Sequence, residues 1–146
     1  MRVNNVMSSP VIQATIATTI RDAAKTMRAH GVGTLPVFRN QVPAGIVTDR
    51  DIVTRALAAR GFALGPSTPV ADIMSRNVIT CFDDQELAEA AALMGEQQIR
   101  RLVVIDRSGA AVGILSLGDI AEHVSEELAG QVLGEISEAR VHVLHG

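Results

Sequence analysis

The chain has 146 residues, of which 47% are hydrophobic, and a formal net charge of −3 at pH 7. This length suits one domain or two small repeats that share a core, and the absence of Trp and Tyr makes that core aliphatic. The acidic balance and the scarcity of aromatic residues disfavour nucleic-acid and membrane surfaces, and the single cysteine, Cys81, excludes an internal disulfide.

The first residues, MRVNNVMSSP, lack the apolar run of a secretory signal peptide. No apolar stretch approaches the roughly 18 residues that a membrane span requires. We therefore expect a soluble cytoplasmic protein with neither a nucleic acid nor a membrane as its partner.

Residues 1–62 predict one unit with the order β-α-β-β-α. After a short helical turn we expect a strand at Val11–Gln13 and then a helix whose apolar residues recur at i, i+3, i+4 and i+7. Thr18 or Thr19 can cap that helix, and Gly31 suits its end. A hairpin with its turn near Arg39–Gln41 follows, and a second helix begins after Thr48. The apolar stripe consists of Ile20, Ala23, Ala24 and Met27.

The second half repeats this unit after a linker at 63–69. A shift of 67 residues places VMSSPVI (from Val6) on IMSRNVI (from Ile73), and one added turn residue makes the later shift 68. In this copy, 70–126, we expect a strand at Val78–Thr80, a helix capped by Asp83 or Asp84, and a turn at Arg107–Gly109. Its helix stripe consists of Leu87, Ala90, Ala91 and Met94, and its last helix begins after Ser116. Neither copy buries a sufficient core alone, so the two should pack sheet against sheet about a pseudo-two-fold axis.

Each copy contains one octapeptide of the same pattern, GIVTDRDI from Gly45 and GILSLGDI from Gly113. In each, a hydroxyl residue at the start of a helix precedes an aspartate by three places. This spacing is that of a capping box, which stabilises a helix by about 1 kcal/mol and needs no ligand. It is also a plausible nucleotide reader, because helix N-termini attract phosphate and a carboxylate can accept both hydroxyls of a ribose. The two interpretations can coexist.

The residues around the two octapeptides differ in charge. Arg101 begins a strand of copy two, where copy one has Thr34, and Asp49 directly follows the copy-one hydroxyl. Because an acid beside a phosphate is repelled, we expect unequal clefts, with the copy-two cleft the better one for phosphate.

The two octapeptides, together with IRDAAKTMRAHGVGTLPV and LAEAAALMGEQQIRRLVVID, resemble the cystathionine β-synthase (CBS) domain pair, or Bateman module, of the small bacterial type without an attached enzyme. The resemblance covers about residues 3–126 and implies an α/β fold with two nucleotide clefts between the paired sheets. It implies one site formed by Ser116, Asp119 and Arg101 with Thr18 and Ala23. It implies a second site formed by Thr48 and Asp51 with Gln85 and Ala90.

We detect no catalytic set, and His142 and His145 have no third ligand nearby, so neither an enzyme nor a metal site is predicted. The sequence therefore favours a regulatory module that requires no cofactor and that senses AMP, ADP or ATP by a change in packing. Two alternatives stay open: a ligand-free structural or dimerisation module, and a sensor of another adenosyl ligand such as S-adenosylmethionine. An unidentified effector protein is a further expected partner.

Apolar residues after the two hydroxyl caps predict a homodimer, because an exposed apolar stripe needs cover. The acidic tail, 127–146, is expected to be helical and to join that interface or remain solvated. The stripe residues are Ile52, Val53 and Leu57 in copy one and Ile120, Ala121 and Val124 in copy two.

Overall fold

The computed structural model describes residues 1–58 and 65–127. Each copy contributes a three-stranded sheet, and both sheets show the same strand order and directions. The first comprises β1 (Ala14–Thr15), β2 (Thr34–Arg39) and β3 (Val42–Thr48); the second comprises β4 (Thr80–Phe82), β5 (Arg101–Ile105) and β6 (Ala111–Ser116). The helices are α1 (Ile20–His30), α2 (Asp49–Asp51, continued by a π-helical segment, Ile52–Leu57), α3 (Leu87–Gln97) and α4, helical over 117–127.

The duplication predicted from the sequence is confirmed at the level of strand pairing. The first strand of each sheet pairs parallel with the second, and the second pairs antiparallel with the third. A register shift interrupts both hairpins at equivalent places, between Val37 and Phe38 and between Val104 and Ile105. The expected first strands are displaced, however: β1 begins at Ala14 rather than Val11, and β4 begins at Thr80 rather than Val78.

Helix α1 begins and ends where its sequence predicts. The Thr19 hydroxyl accepts the Asp22 N–H at 3.1 Å, and Gly31 ends the helix in the left-handed region at φ 64°. The buried face consists of Ile20, Ala23 and Met27, whereas Ala24, the fourth residue of the expected stripe, is exposed. The core face is thus narrower than the sequence pattern suggested.

Helix α3 is not capped by Asp83 or Asp84, and that prediction is wrong. The N-cap residue is Glu86, which makes no side-chain cap, and the Leu87 N–H donates instead to the carbonyl of Met1 at 2.8 Å. Asp84 is instead hydrogen-bonded to Arg107. The free N–H at the start of α3 is therefore satisfied by a backbone carbonyl that is distant in sequence.

The short helical turns that open the two copies are exchanged between the two cores. Val3, in the turn Val3–Asn5, is fully buried with the residues of the second sheet and α3. Val70 and Ile73, at the start of copy two, are buried with α1 and the first sheet. Because each core is completed by the other copy's first turn, the two copies cannot pack independently.

The two sheets meet face to face through a small apolar cluster of Phe38, Ile46 and Val103. Val78, Ile105 and Ala111 pack around it. Cys81 is 3% exposed, in the core of the second copy, and burial raises the pKa of its thiol to about 11. Cys81 thus packs as a small core residue.

Several expectations fall outside the described residues. They concern part of the linker, 63–64, and the tail at 128–146, including His142 and His145. Within residues 1–58 and 65–127, no helix is long and apolar enough to cross a membrane.

Candidate functional site

A cleft between the two copies brings together three of the predicted site residues, Arg101, Ser116 and Asp119. We call it the Ser116 cleft; its volume is about 270 Å³. The second copy also contributes Ile114, and the first copy contributes Ser8, Pro10, Val11, Ile12, Val32, Gly33 and Thr34. The wall is thus built by both copies, as the resemblance implied.

The hydroxyl and the carboxylate of this cleft form a complete capping box. The Ser116 Oγ accepts the Asp119 N–H at 3.0 Å, and Asp119 Oδ2 accepts the Ser116 N–H at 3.1 Å. The box starts α4 and holds both side chains at the edge of the cleft. Only one carboxylate oxygen of Asp119 is engaged in the box, so its second oxygen can accept a hydroxyl group.

Strand pairing explains why Arg101 lies beside Ser116. Arg101 is the first residue of β5 and is the direct partner of Ser116, the last residue of β6. Cross-strand partners have their side chains about 4.5–5.5 Å apart on one face, so the guanidinium and the hydroxyl share the cleft. A cation, a hydroxyl and a carboxylate therefore line one small cleft together with apolar residues such as Val11 and Ile12.

The equivalent box in the first copy has different surroundings. Thr48 and Asp51 exchange the same two hydrogen bonds, at 3.1 and 2.8 Å. Asp51 Oδ1 also lies 3.7 Å from the Nε of Arg55, whose guanidinium donates to the Ile73 carbonyl at 3.1 Å. The second oxygen of Asp51 is thus already paired, which makes the copy-one aspartate less able to receive a ribose.

The other four predicted residues lie outside the lining of the Ser116 cleft. The Thr18 hydroxyl accepts the Thr15 N–H at 3.0 Å, and the Gln85 side-chain oxygen accepts the Phe82 N–H at 2.7 Å. Ala23 and Ala90 are 0% and 1% exposed and belong to the two main cores. The structure thus places these residues at the helix starts and in the cores.

The sequence reasoning did not identify the copy-one wall of the cleft. Ser8 pairs with Ile114 through two backbone hydrogen bonds of 2.8 and 3.0 Å, and this bridge places Pro10 to Ile12 along the cleft. A signal is present, because the heptapeptide VMSSPVI recurs as IMSRNVI. The pattern predicts a strand at Val11–Gln13, whereas Val11 and Ile12 are irregular and line the Ser116 cleft.

A larger cavity of about 800 Å³ lies at the opposite ends of the hairpins, between the turns at Arg39–Val42 and Ser108–Ala111. Its size exceeds that of the Ser116 cleft, but neither octapeptide reaches it. We assign the candidate site to the smaller cleft, because the hydroxyl, carboxylate and guanidinium converge there.

The duplicated three-stranded units, their exchanged turns and the shared cleft define a tandem domain pair. The family model described as CBS domain matches residues 3–58 and 70–126, and the chain belongs to that family.

Relatives and solved structures agree with this membership. The CBS domain-containing protein YhcV of Bacillus subtilis is 37% identical over 141 residues, which cover 96% of this chain and 98% of that protein. The CBS domain pair of protein MJ0100, solved with 5′-methylthioadenosine and S-adenosyl-L-methionine, is 30% identical with a TM-score of 0.73 and covers 87% of this chain and 98% of its own. The CBS domain protein PAE2072 of Pyrobaculum aerophilum, solved with AMP, is 30% identical with a TM-score of 0.71 and covers 89% and 99%.

Proposed function

We propose that this chain is a non-enzymatic regulatory module that binds an adenine nucleotide in the Ser116 cleft and signals by a change in packing. The single observation that carries the proposal is the convergence of Arg101, Ser116 and Asp119 in one cleft. In this role Arg101 and the Ser116 hydroxyl bind phosphate, Asp119 accepts the ribose hydroxyls, and the apolar wall holds the base. The AMP complex of the similar protein PAE2072 supports this class of ligand.

The dimensions of the cleft favour a small nucleotide. Its volume of about 270 Å³ is just below the range usual for small-molecule sites, about 300–1,000 Å³. One guanidinium also matches one phosphate group better than three. We therefore place AMP or ADP before ATP.

A related adenosyl ligand is the second candidate. The similar CBS pair of MJ0100 was solved with S-adenosyl-L-methionine and 5′-methylthioadenosine, neither of which carries a phosphate. In that case Asp119 retains its role toward the ribose and Arg101 is dispensable. Titration of AMP and of 5′-methylthioadenosine into wild type and Arg101→Ala separates the two candidates. Tighter binding of AMP that is lost in the variant supports the nucleotide, whereas tighter binding of 5′-methylthioadenosine in both proteins supports the adenosyl ligand.

The experiment that tests the proposal is calorimetric titration of AMP into wild type and Asp119→Asn. Loss of the charge-assisted hydrogen bonds to the ribose should weaken binding by roughly ten- to hundred-fold. The amide oxygen that this substitution introduces can still accept the Ser116 N–H, so the free energy of unfolding should change by at most about 1 kcal/mol.

Asp51→Asn is the matched control, because Asp51 holds the same capping box but its second oxygen faces Arg55. This variant should leave the AMP affinity within about two-fold of wild type, because it removes no hydrogen bond to a nucleotide in the Ser116 cleft. Equal AMP affinities in all three proteins would contradict the assignment of the ribose to Asp119. No measurable binding of any adenosyl ligand would instead support the ligand-free structural alternative.

We also propose that the module acts as a homodimer paired through α2 and α4. Val53 and Leu57 on α2 are 55% and 77% exposed, and Leu117 and Val124 on α4 are 48% and 53% exposed. Ile52 and Ile120, which the sequence assigned to the same stripes, pack inward against the two cores. The remaining exposed apolar residues are the surface that a second copy would cover.

A further inference from the structure

A second acid stands against the wall of the Ser116 cleft, contributed by the first copy. Gly33 lines the cleft, and a Cβ atom built on Gly33 would lie 2.8 Å from Oδ2 and 3.1 Å from Cγ of Asp49. Any side chain at position 33 would therefore collide with this carboxylate. The glycine allows an acid to lie directly behind the cleft wall.

Backbone hydrogen bonds hold Asp49 in this place. Its N–H donates to the Gly33 carbonyl at 3.0 Å, and its Oδ1 accepts the Arg50 N–H at 2.7 Å. Thr48, the preceding residue, pairs with Thr34 at the end of the hairpin. The carboxylate is thus positioned by the same strand ends that form the cleft.

This placement adds to an expectation from the sequence. Because Asp49 follows the copy-one hydroxyl Thr48, we expected it to disfavour phosphate in the copy-one cleft. The structure places it against Gly33, a residue of the cleft that contains Ser116 and Asp119. The acid of one octapeptide thus lies next to a lining residue of the cleft that contains the other.

The charges around the cleft are consequently unbalanced. Arg101 is the one cation among the described residues that line it, and Asp119 is an acid of the same lining. Within residues 1–58 and 65–127, none of the ion pairs involves Asp49. The lining thus holds one guanidinium and one carboxylate, and the exposed Asp49 carboxylate lies next to Gly33 at its edge, so the local charge suits a single phosphate group better than a chain of three.

We propose that Asp49 is a specificity-determining residue that limits the number of phosphate groups the Ser116 cleft accepts. The inference rests on the proposed function, because it concerns the ligand of the same site. Each added phosphate brings further negative charge toward Asp49, and like charges repel, although solvent and salt screen this exposed carboxylate. The adenosyl part of the ligand carries no charge and is not affected.

The test is calorimetric titration of adenosine, AMP, ADP and ATP, without divalent cations, into wild type and Asp49→Asn. We expect wild type to bind AMP more tightly than ATP. Asp49→Asn should raise the affinity for ATP by about three- to ten-fold, raise that for AMP by less, and leave that for adenosine unchanged. The gain for ATP should shrink when the salt concentration is raised from about 0.05 to about 0.5 M, because salt screens the repulsion.

Asp22→Asn is the matched control. It removes the same charge from the exposed first turn of α1, and Asp22 does not belong to the cleft lining. An unchanged ratio of ATP to AMP affinity in Asp49→Asn, or an equal change in Asp22→Asn, overturns this inference alone. A wild type that binds none of the four ligands overturns the proposed function, and this inference with it.

Discussion

At the scale of single residues, the same capping-box pattern occurs in two different surroundings. The hydroxyl and aspartate of each octapeptide are spaced as a capping box, and both boxes are formed in full. Their difference lies outside the octapeptides, since Arg55 pairs with Asp51 while Arg101 shares the cleft with Asp119. The same capping box can therefore bind different groups, because the arginine beside it differs in position.

A second pair of residues shows the same dependence on context. Asp84 and Arg107 form two parallel hydrogen bonds of 2.9 and 2.8 Å, and the guanidinium stacks 3.9 Å from the Phe82 ring centre. This pair ties the β5–β6 turn to the segment before α3. Its hydrogen bonds hold the pKa of the Asp84 carboxyl below its usual 3.8.

We predict that Arg107→Gln raises the pKa of Asp84 toward the usual 3.8, because the substitution removes the largest cause of its lowering. In wild type the folded pKa is the lower one, so the pair's contribution to stability is complete above the unfolded pKa and is lost as pH falls through the folded pKa. A carboxyl-detected NMR titration of both proteins measures this. Asp106 is the internal control, because its pKa is lowered by Ser108 and Ala110 and should not move. A pKa of Asp84 that stays the same in both proteins would contradict the assignment.

At the scale of elements, the first glycine of each octapeptide allows the exchanged segment to approach. Gly45 lies against Met74 and Ser75, and Gly113 lies against Met7 and Ser8. A Cβ atom at either glycine would come within 2.6 Å of a methionine sulfur. These contacts accompany the backbone bridges that attach each first turn to the other copy's hairpin. The glycine thus permits the exchange on which both cores depend.

We predict that Gly113→Ala destabilises the protein by about 1–3 kcal/mol, because the added methyl group collides with Met7 and with the Ser8 carbonyl. Gly95→Ala is the control of opposite sign: it lies within α3 with no atom within 4 Å of the new Cβ, and it should stabilise by about 0.5–1 kcal/mol. Urea denaturation measures both. Equal free energies of unfolding for the two variants would refute the steric role of Gly113.

At the scale of the whole molecule, contacts between the two copies join them into one structure. The N–H groups of Ile20 and Leu87 donate to carbonyls of Thr68 and Met1, so each long helix starts on a segment that leads into the other copy's core. The outer helices α2 and α4 leave apolar side chains exposed. A second copy is the partner we propose for that surface.

We predict that wild type has the mass of a dimer at micromolar concentration, and that the double variant Val53→Lys and Leu57→Lys has the mass of a monomer. Both residues are more than half exposed, so the substitutions spare the core, whereas burying two ammonium groups in an interface is costly. Val42→Lys, at the hairpin turn and 63% exposed, is the matched control and should remain dimeric. Light scattering with a monomer mass for wild type would refute the homodimer.

The sequence by itself determined the duplication, the order of the elements and the caps of α1, α2 and α4, but not the cap of α3 or the first strands' bounds. Helix α1 with Thr19 and Gly31, both hairpin turns and both capping boxes depend on residues a few positions apart, and such interactions follow from spacing. The place of Arg101 beside Ser116 also follows once the two strands are paired, because cross-strand partners share a face.

Only the tertiary structure decided which residues complete each site and each core. The start of α3 is satisfied by Met1, the first turns are exchanged, and Asp49 lies against Gly33, a lining residue of the cleft that contains the other octapeptide. Each of these contacts joins residues separated by many positions along the chain, or residues from different copies. Periodicity and spacing describe only near neighbours, whereas these positions are fixed by tertiary contacts.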